Sequence, residues 1–149
     1  TDGYYLSNYL WRSEGGKMHI LPWDLDLTLG QPSYNNNESF EEWVMYRPPY
    51  IAAMSANPAF QSRLQERWWE LREDILSDQS IRSQIEGYRG IMGDVVYDNF
   101  EVWPIDEITF GWSGVNYLYA VSSYDEEYER VMAWIPQRLA WIDDNIDNW

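Results

Sequence analysis

Apolar residues recur at intervals of three and four in three separate stretches of this chain, the spacing of helices with one buried face. In the first, Phe60, Leu64, Trp68, Leu71 and Ile75 share a face. Asn57-Pro58 just before them supplies an N-cap and a proline at the first helical position, which predicts a helix from there to about Leu76. A second face, Ile81, Ile85, Tyr88, Met92 and Val95, predicts a helix beginning near Ser80. Gly87, Gly90 and Gly93 lower its propensity or let another element pack closely. The third follows a capping box, Ser123-Tyr124-Asp125-Glu126, and carries Tyr128, Val131, Met132, Ile135, Leu139, Ile142 and Ile146 on its apolar side. Pro136 lies inside it and is expected to kink or divide it. A shorter amphipathic piece runs from about Ser39 to Tyr46, where Arg47-Pro48-Pro49 is expected to stop it.

The pattern near the start is different. Tyr9 to Arg12 and Lys17 to Leu21 are short aromatic and aliphatic runs separated by Ser13-Glu14-Gly15-Gly16, a hairpin signal. With Gly15 and Gly16 as the central pair, Glu14 faces Lys17, Trp11 faces Ile20 and Asn8 faces Trp23. Asn8 and Asp24 then share one end of the ribbon. Gln31 to Asn37 is polar with turn chemistry, and Asn99 to Val121 shows no clear period, so it is expected to be irregular. The fold class predicted is mainly α with a short N-terminal β-hairpin.

Composition narrows the function classes. The 149 residues have room for one domain with a real core, and ten Trp and twelve Tyr point to a well-packed globular protein. A formal net charge of −15, with Lys17 the single lysine, argues against a nucleic-acid partner. Such acidity favours solubility first and cations or basic substrates second. There is no cysteine, so thiolate ligands, thiol nucleophiles and disulfides are unavailable. No apolar run reaches the roughly 18 residues needed to span a bilayer. Because the chain starts at Thr1 and opens directly on a candidate site, it is expected to be a piece of a longer protein.

That candidate site is the stretch Lys17 to Gly30, which sets Asp24 and Asp26 at the exit of an apolar strand, with Asp2 and Asn8 upstream. Oxygen donors of this kind suit Mg²⁺ or Mn²⁺ rather than zinc. In kinases an Asp meets the acceptor hydroxyl, a following Asn holds one Mg²⁺, and a later Asp holds the metals. Asp2, Asn8 and Asp24 occur in that order, with the predicted hairpin between the second and third. The plainer reading of Asp24 and Asp26 is turn capping. His19 alternates with Met18 and Ile20 on a strand and reads as structural.

These residues resemble the spore coat protein H (CotH) type of atypical protein kinase. The resemblance rests on Asn8-Tyr9-Leu10-Trp11, the glycine turn and the run from Ile20 to Gly30 that contains Pro22-Trp23-Asp24-Leu25-Asp26. It extends through Asn57-Pro58-Ala59-Phe60, Arg63 to Trp68, and the ending Val131 to Ile142. It implies the C-terminal lobe of a protein-kinase-like fold, from the catalytic loop onward, over residues 1–149. By that resemblance Asp2 is the catalytic aspartate, Asn8 and Asp24 are metal ligands, and Asp26 is a second ligand or a support. Two departures stand out: the Asp2 to Asn8 interval is one residue longer than in the typical kinase loop, and Leu29 stands where the family often has Phe.

The resemblance further implies transfer of the ATP γ-phosphate to Ser or Thr of a spore-coat, cell-surface or secreted protein. The glycine-rich cover and phosphate-pairing lysine of a kinase are expected from the remainder of its own kinase domain, since Lys17 sits beside the hairpin turn and reads as a cross-strand partner of Glu14. The chain alone is expected to be inactive. Two alternatives belong to other classes: a catalytically inactive kinase-like scaffold, and a carbohydrate-binding module using Trp103 and Trp112 as an exposed platform. The helical periods weigh against the module.

Overall fold

The computed structural model describes residues 7–25, 28–30, 39–43, 48–104, 109–112, 115–118 and 122–149, with the backbone alone for 109–112 and 115–118. In chain order the elements are strands β1 (Asn8–Trp11) and β2 (His19–Pro22), then helices α1 (Pro49–Ser55), α2 (Pro58–Arg72), α3 (Asp78–Met92) and α4 (Val95–Val102). Strands β3 (Thr109–Trp112) and β4 (Val115–Leu118) follow, then α5 (Tyr124–Asn145) and a closing 3-10 turn over Ile146–Asn148. The fold is mainly helical with an N-terminal antiparallel hairpin, as the apolar periods predict.

Helix α5 organises the rest. Ser123 caps it by accepting from the Glu126 N–H at 3.1 Å, and the Glu126 carboxylate reaches back to the Ser122 N–H at 2.7 Å and its hydroxyl at 2.9 Å. Those bonds hold the Glu126 carboxyl below its ordinary pKa. Met132, Leu139 and Ile146, spaced by seven, are buried along one stripe. Pro136 neither divides the helix nor ends it, since α5 runs unbroken from Tyr124 to Asn145. Packing on both sides of the proline offsets the one amide it removes, and Gln137 donates its side-chain amide to the Ala133 carbonyl at 2.7 Å.

Helices α2 and α3 are seated by caps and by α5. Asn57 Oδ1 accepts from the Ala59 and Phe60 amides at 2.9 and 3.4 Å, as its position before Pro58 predicts. α2 stops at Arg72, short of the expected Leu76, because a turn over 73–76 intervenes and Ser77 then caps α3 by accepting from the Ser80 N–H at 3.2 Å. Arg72 donates to Asp143 of α5 at 3.0 to 3.2 Å, and Trp68 Nε1 joins it at 2.8 Å. On α3, Ile81 and Ile85 line the seam with Met132, Ile135 and Pro136. The apolar period continues past that seam: Tyr88, Met92 and Val95 are exposed, and Gly93, at φ 53°, ends the helix before Val95.

Three expectations need correction. The proline pair at 48 and 49 opens a helix instead of stopping one: Pro49 is the first residue of α1, whose Ile51 is only 2% exposed. Residues 39–43 are not helical, and 44–46 lie outside the described residues. The stretch 99–121 is not irregular throughout, because α4 extends to Val102 and β3 pairs with β4, Thr109 opposite Leu118.

The N-terminal ribbon is shifted by one residue from the expected register: Trp11 pairs with His19, Leu10 with Ile20, and Asn8 with Pro22. The turn explains the slip. The Gly16 N–H donates to the Ser13 carbonyl at 3.0 Å with Gly15 at φ 68°, so Glu14, Gly15 and Gly16 all lie in the loop. On that register Lys17 lies opposite Ser13, so Glu14 is not its cross-strand partner.

Replacing Asn57 by Ala removes a cap that satisfies two amides and is expected to cost about 1 kcal/mol of stability. Denaturant unfolding of the variant should show a lower midpoint at an unchanged slope.

Candidate functional site

The ribbon carries the candidate ligands to one end. The Trp23 N–H donates to the Ser7 carbonyl at 3.0 Å, extending the ladder one pair beyond Asn8 and Pro22. Asn8 is half-buried, and Asp24 follows Trp23 immediately and is exposed. In register, position 24 is diagonal to Asn8 and lies just past the last bonded pair of the ribbon, Ser7 and Trp23. Asp2 and Asp26 lie outside the described residues.

Asp24 is not a regular strand residue. Its φ is 53°, in the left-handed region that only a few per cent of non-glycine residues occupy. β2 therefore ends at Pro22 and the chain turns at the acid itself. Such outliers concentrate at functional sites, where the surroundings hold them in place. Leu29, at φ 57°, is the second among the described residues, and Gly30 follows at φ 75°. Between them, Thr28 Oγ1 donates to the Leu25 carbonyl at 2.6 Å.

What holds the far end of this segment is α5. Arg130 donates through one terminal nitrogen to the Leu29 carbonyl at 3.1 Å and to the Gly30 carbonyl at 2.8 Å. Its remaining edge is engaged by Glu127, Nε at 2.7 Å and the other terminal nitrogen at 2.6 Å. Gly30 is buried against Trp134: a Cβ built on it would lie 2.4 Å from the indole nitrogen. Nothing in the local sequence marks Arg130 or Trp134 as a partner of this segment. Only the match of Gly30 and the Val131 to Ile142 run to one family hinted that the two ends of the chain belong together.

The other candidates read as structural. His19 packs its ring against Trp11 with centroids 5.4 Å apart, and Tyr9 meets Trp23 edge-on at 5.4 Å. Trp103 is exposed, as a platform would require, while the side chain of Trp112 is outside the described residues. Among the described residues no three His, Asp or Glu side chains converge as a metal-binding group, and no helix is long and apolar enough to cross a membrane.

Compared with known protein families, residues 1–142 match one described as CotH kinase protein. The chain belongs to the CotH kinase protein family. Neither the comparison with curated proteins nor that with solved structures found a match. The family gives this CotH chain a kinase-type function in general, and with it ATP, a divalent metal and a protein substrate in general terms.

Among the described candidates, Asn8 and Asp24 are oxygen donors of the kind a hard divalent cation takes. Mg²⁺ is usually held by one or two carboxylates with substrate phosphates and water completing its shell, so a full protein cage is not required. A carboxamide and a carboxylate at one ribbon end, with the acid turned out of the strand, offer oxygen donors of that kind.

Gly30→Ala places a methyl group against the Trp134 ring at a backbone angle that L side chains rarely adopt. It is expected to destabilise the protein by about 1–3 kcal/mol. Thermal unfolding of the variant beside Gly15→Ala, where nothing lies within 4 Å, separates the steric part from the backbone part.

Proposed function

We propose that this chain is the C-terminal catalytic lobe of a CotH-like atypical protein kinase that transfers the ATP γ-phosphate to Ser or Thr of a coat or secreted protein. The observation that carries the reading is the left-handed Asp24 at the end of the ribbon, diagonal to Asn8, within a family match over residues 1–142. Asn8 and Asp24 would hold the metal, with Asp26 as second ligand or support, and Asp2 would accept the proton of the acceptor hydroxyl. That hydroxyl oxygen bonds to the γ-phosphorus as the bond from the γ-phosphorus to the bridging oxygen breaks and ADP leaves. A bound Mg²⁺ or Mn²⁺ supplies charge neutralisation on the phosphate oxygens.

The glycine-rich cover and the phosphate-pairing lysine are assigned to the rest of the kinase domain. A net charge of −15 favours a basic substrate through the summed field, its Ser and Thr hydroxyls being the acceptors the proposed transfer needs, and a spore-coat or cell-surface setting follows from the family resemblance.

In the full-length protein, Mg²⁺-dependent transfer from labelled ATP should fall by at least about a hundredfold in Asp24→Ala, the scale on which groups stabilising transition-state charge act. Metal-dependent ATP binding should weaken with it. Unchanged ATP affinity and metal dependence in the variant would remove Asp24 from the metal site. Absence of nucleotide binding in the wild-type protein would leave the inactive scaffold.

A further inference from the structure

We infer that Arg130 and Trp134 of α5 are positioning residues for the metal-binding acid: they hold Leu29 and Gly30, just downstream of Asp24, and through them influence how that acid is placed. The part concerning metal rests on the function proposed above; the clamp itself rests on the geometry of α5.

Three observations carry it. The Arg130 fork is used on both sides, with Glu127 fixing its orientation and the free edge donating to two successive backbone carbonyls, Leu29 at 3.1 Å and Gly30 at 2.8 Å. A planar guanidinium so held is preorganised, which an ammonium on a flexible stem is not. Secondly, Gly30 at φ 75° lies so close to the Trp134 ring that no side chain fits between them. Thirdly, the two non-glycine residues with positive φ among the described residues, Asp24 and Leu29, stand at the two ends of this one segment.

Residues in that backbone region persist only where the surroundings over-determine them. At Leu29 the carbonyl is held by Arg130, and its neighbour Gly30 is held by Arg130 and Trp134. Five residues lie between Asp24 and Gly30, and the bond from Thr28 Oγ1 to the Leu25 carbonyl at 2.6 Å ties the clamped end to the residue after the acid. Displacement at the clamped end is therefore passed toward the acid. Arg130 stands apart from the buried stripe of Met132, Leu139 and Ile146, so its loss releases the segment without emptying the core.

The test uses the full-length protein with Arg130→Lys and Glu127→Gln, and Asp24→Asn as the reference for loss of the ligand. Amide hydrogen exchange is followed at 28–30 and at 139–146, and Mn²⁺ binding is titrated by electron paramagnetic resonance without nucleotide. Arg130→Lys is expected to speed exchange at 28–30 by at least about tenfold, leave 139–146 protected, and weaken Mn²⁺ binding by about 10- to 100-fold, the range for groups that orient a metal ligand. Glu127→Gln should move both readouts the same way by less.

Unchanged exchange at 28–30 in both variants overturns the clamp. Faster exchange with unaltered Mn²⁺ affinity, while Asp24→Asn loses the metal, overturns the positioning role and leaves the proposed function standing. If Asp24→Asn binds Mn²⁺ as the wild type does, the metal assignment fails and the positioning role falls with it.

Discussion

The fold depends on what α5 offers to the chain around it: an apolar stripe on one side and, beside it, cationic groups that satisfy backbone carbonyls. Loops that come against a helix must find donors for their carbonyl oxygens, because an unpaired buried polar group costs about 1–3 kcal/mol. Arg130 answers for Leu29 and Gly30, and Arg138 for Phe40 and Glu42 at 2.6 and 2.7 Å. The polypeptide between the ribbon and α1 is thus fixed to the last helix at two places one α5 turn pair apart. That is how residues nearly a hundred positions away in sequence come to frame the ribbon's exit.

Arg138 shows the cost of the arrangement. It sits above the Trp141 ring at 4.8 Å and the Trp43 ring at 5.6 Å, and the two indoles meet edge-on at 4.8 Å. Burial pushes its guanidinium below the ordinary pKa. Two carbonyls and two aromatic faces stabilise the charge in its place. Arg72 is the contrasting case: burial pulls its guanidinium down, and hydrogen bonds to Asp143 and Asp78 outweigh that, leaving it above the ordinary value. One arginine is matched by carboxylates and ties two helices together; the other is matched by dipoles and rings and ties a loop to a helix.

The ribbon has a different balance. Tyr9, Leu10, Trp11, Ile20 and Leu21 are all exposed, on both faces of a two-stranded sheet. Isolated hairpins are at best marginally stable, and this one relies on its ladder, its glycine turn and the aromatic pairs Tyr9 with Trp23 and Trp11 with His19. The chain is fixed on either side of the acid at its exit, by the ladder at Trp23 and by α5 at Gly30.

Local chemistry made several features legible. Asn57 before Pro58, Ser123 before Glu126 and the apolar stripe of α5 act within a few residues, and the structure has them as the sequence indicates. The family resemblance carried by the Pro22 to Asp26 run is likewise a property of consecutive residues, and the match over 1–142 agrees with it. The errors arose where neighbours in sequence do not decide the outcome. A glycine pair is compatible with a two- or a three-residue loop, and the turn closed from Gly16 to Ser13 shifted every pair in the ribbon by one. Pro48-Pro49 can end one helix or begin another. Nothing in the sequence around Arg130 distinguishes it from a solvated helix residue paired with Glu127. Its role depends on carbonyls about a hundred residues upstream, and the fold alone brings those within reach. The sequence by itself therefore determined the three longest helices, the caps of α2 and α5 and the family, since these follow from short-range backbone and side-chain preferences. The hold of Arg130 on Leu29 and Gly30 and that of Arg138 on Phe40 and Glu42 were decided by tertiary structure, because each joins groups that only folding makes neighbours.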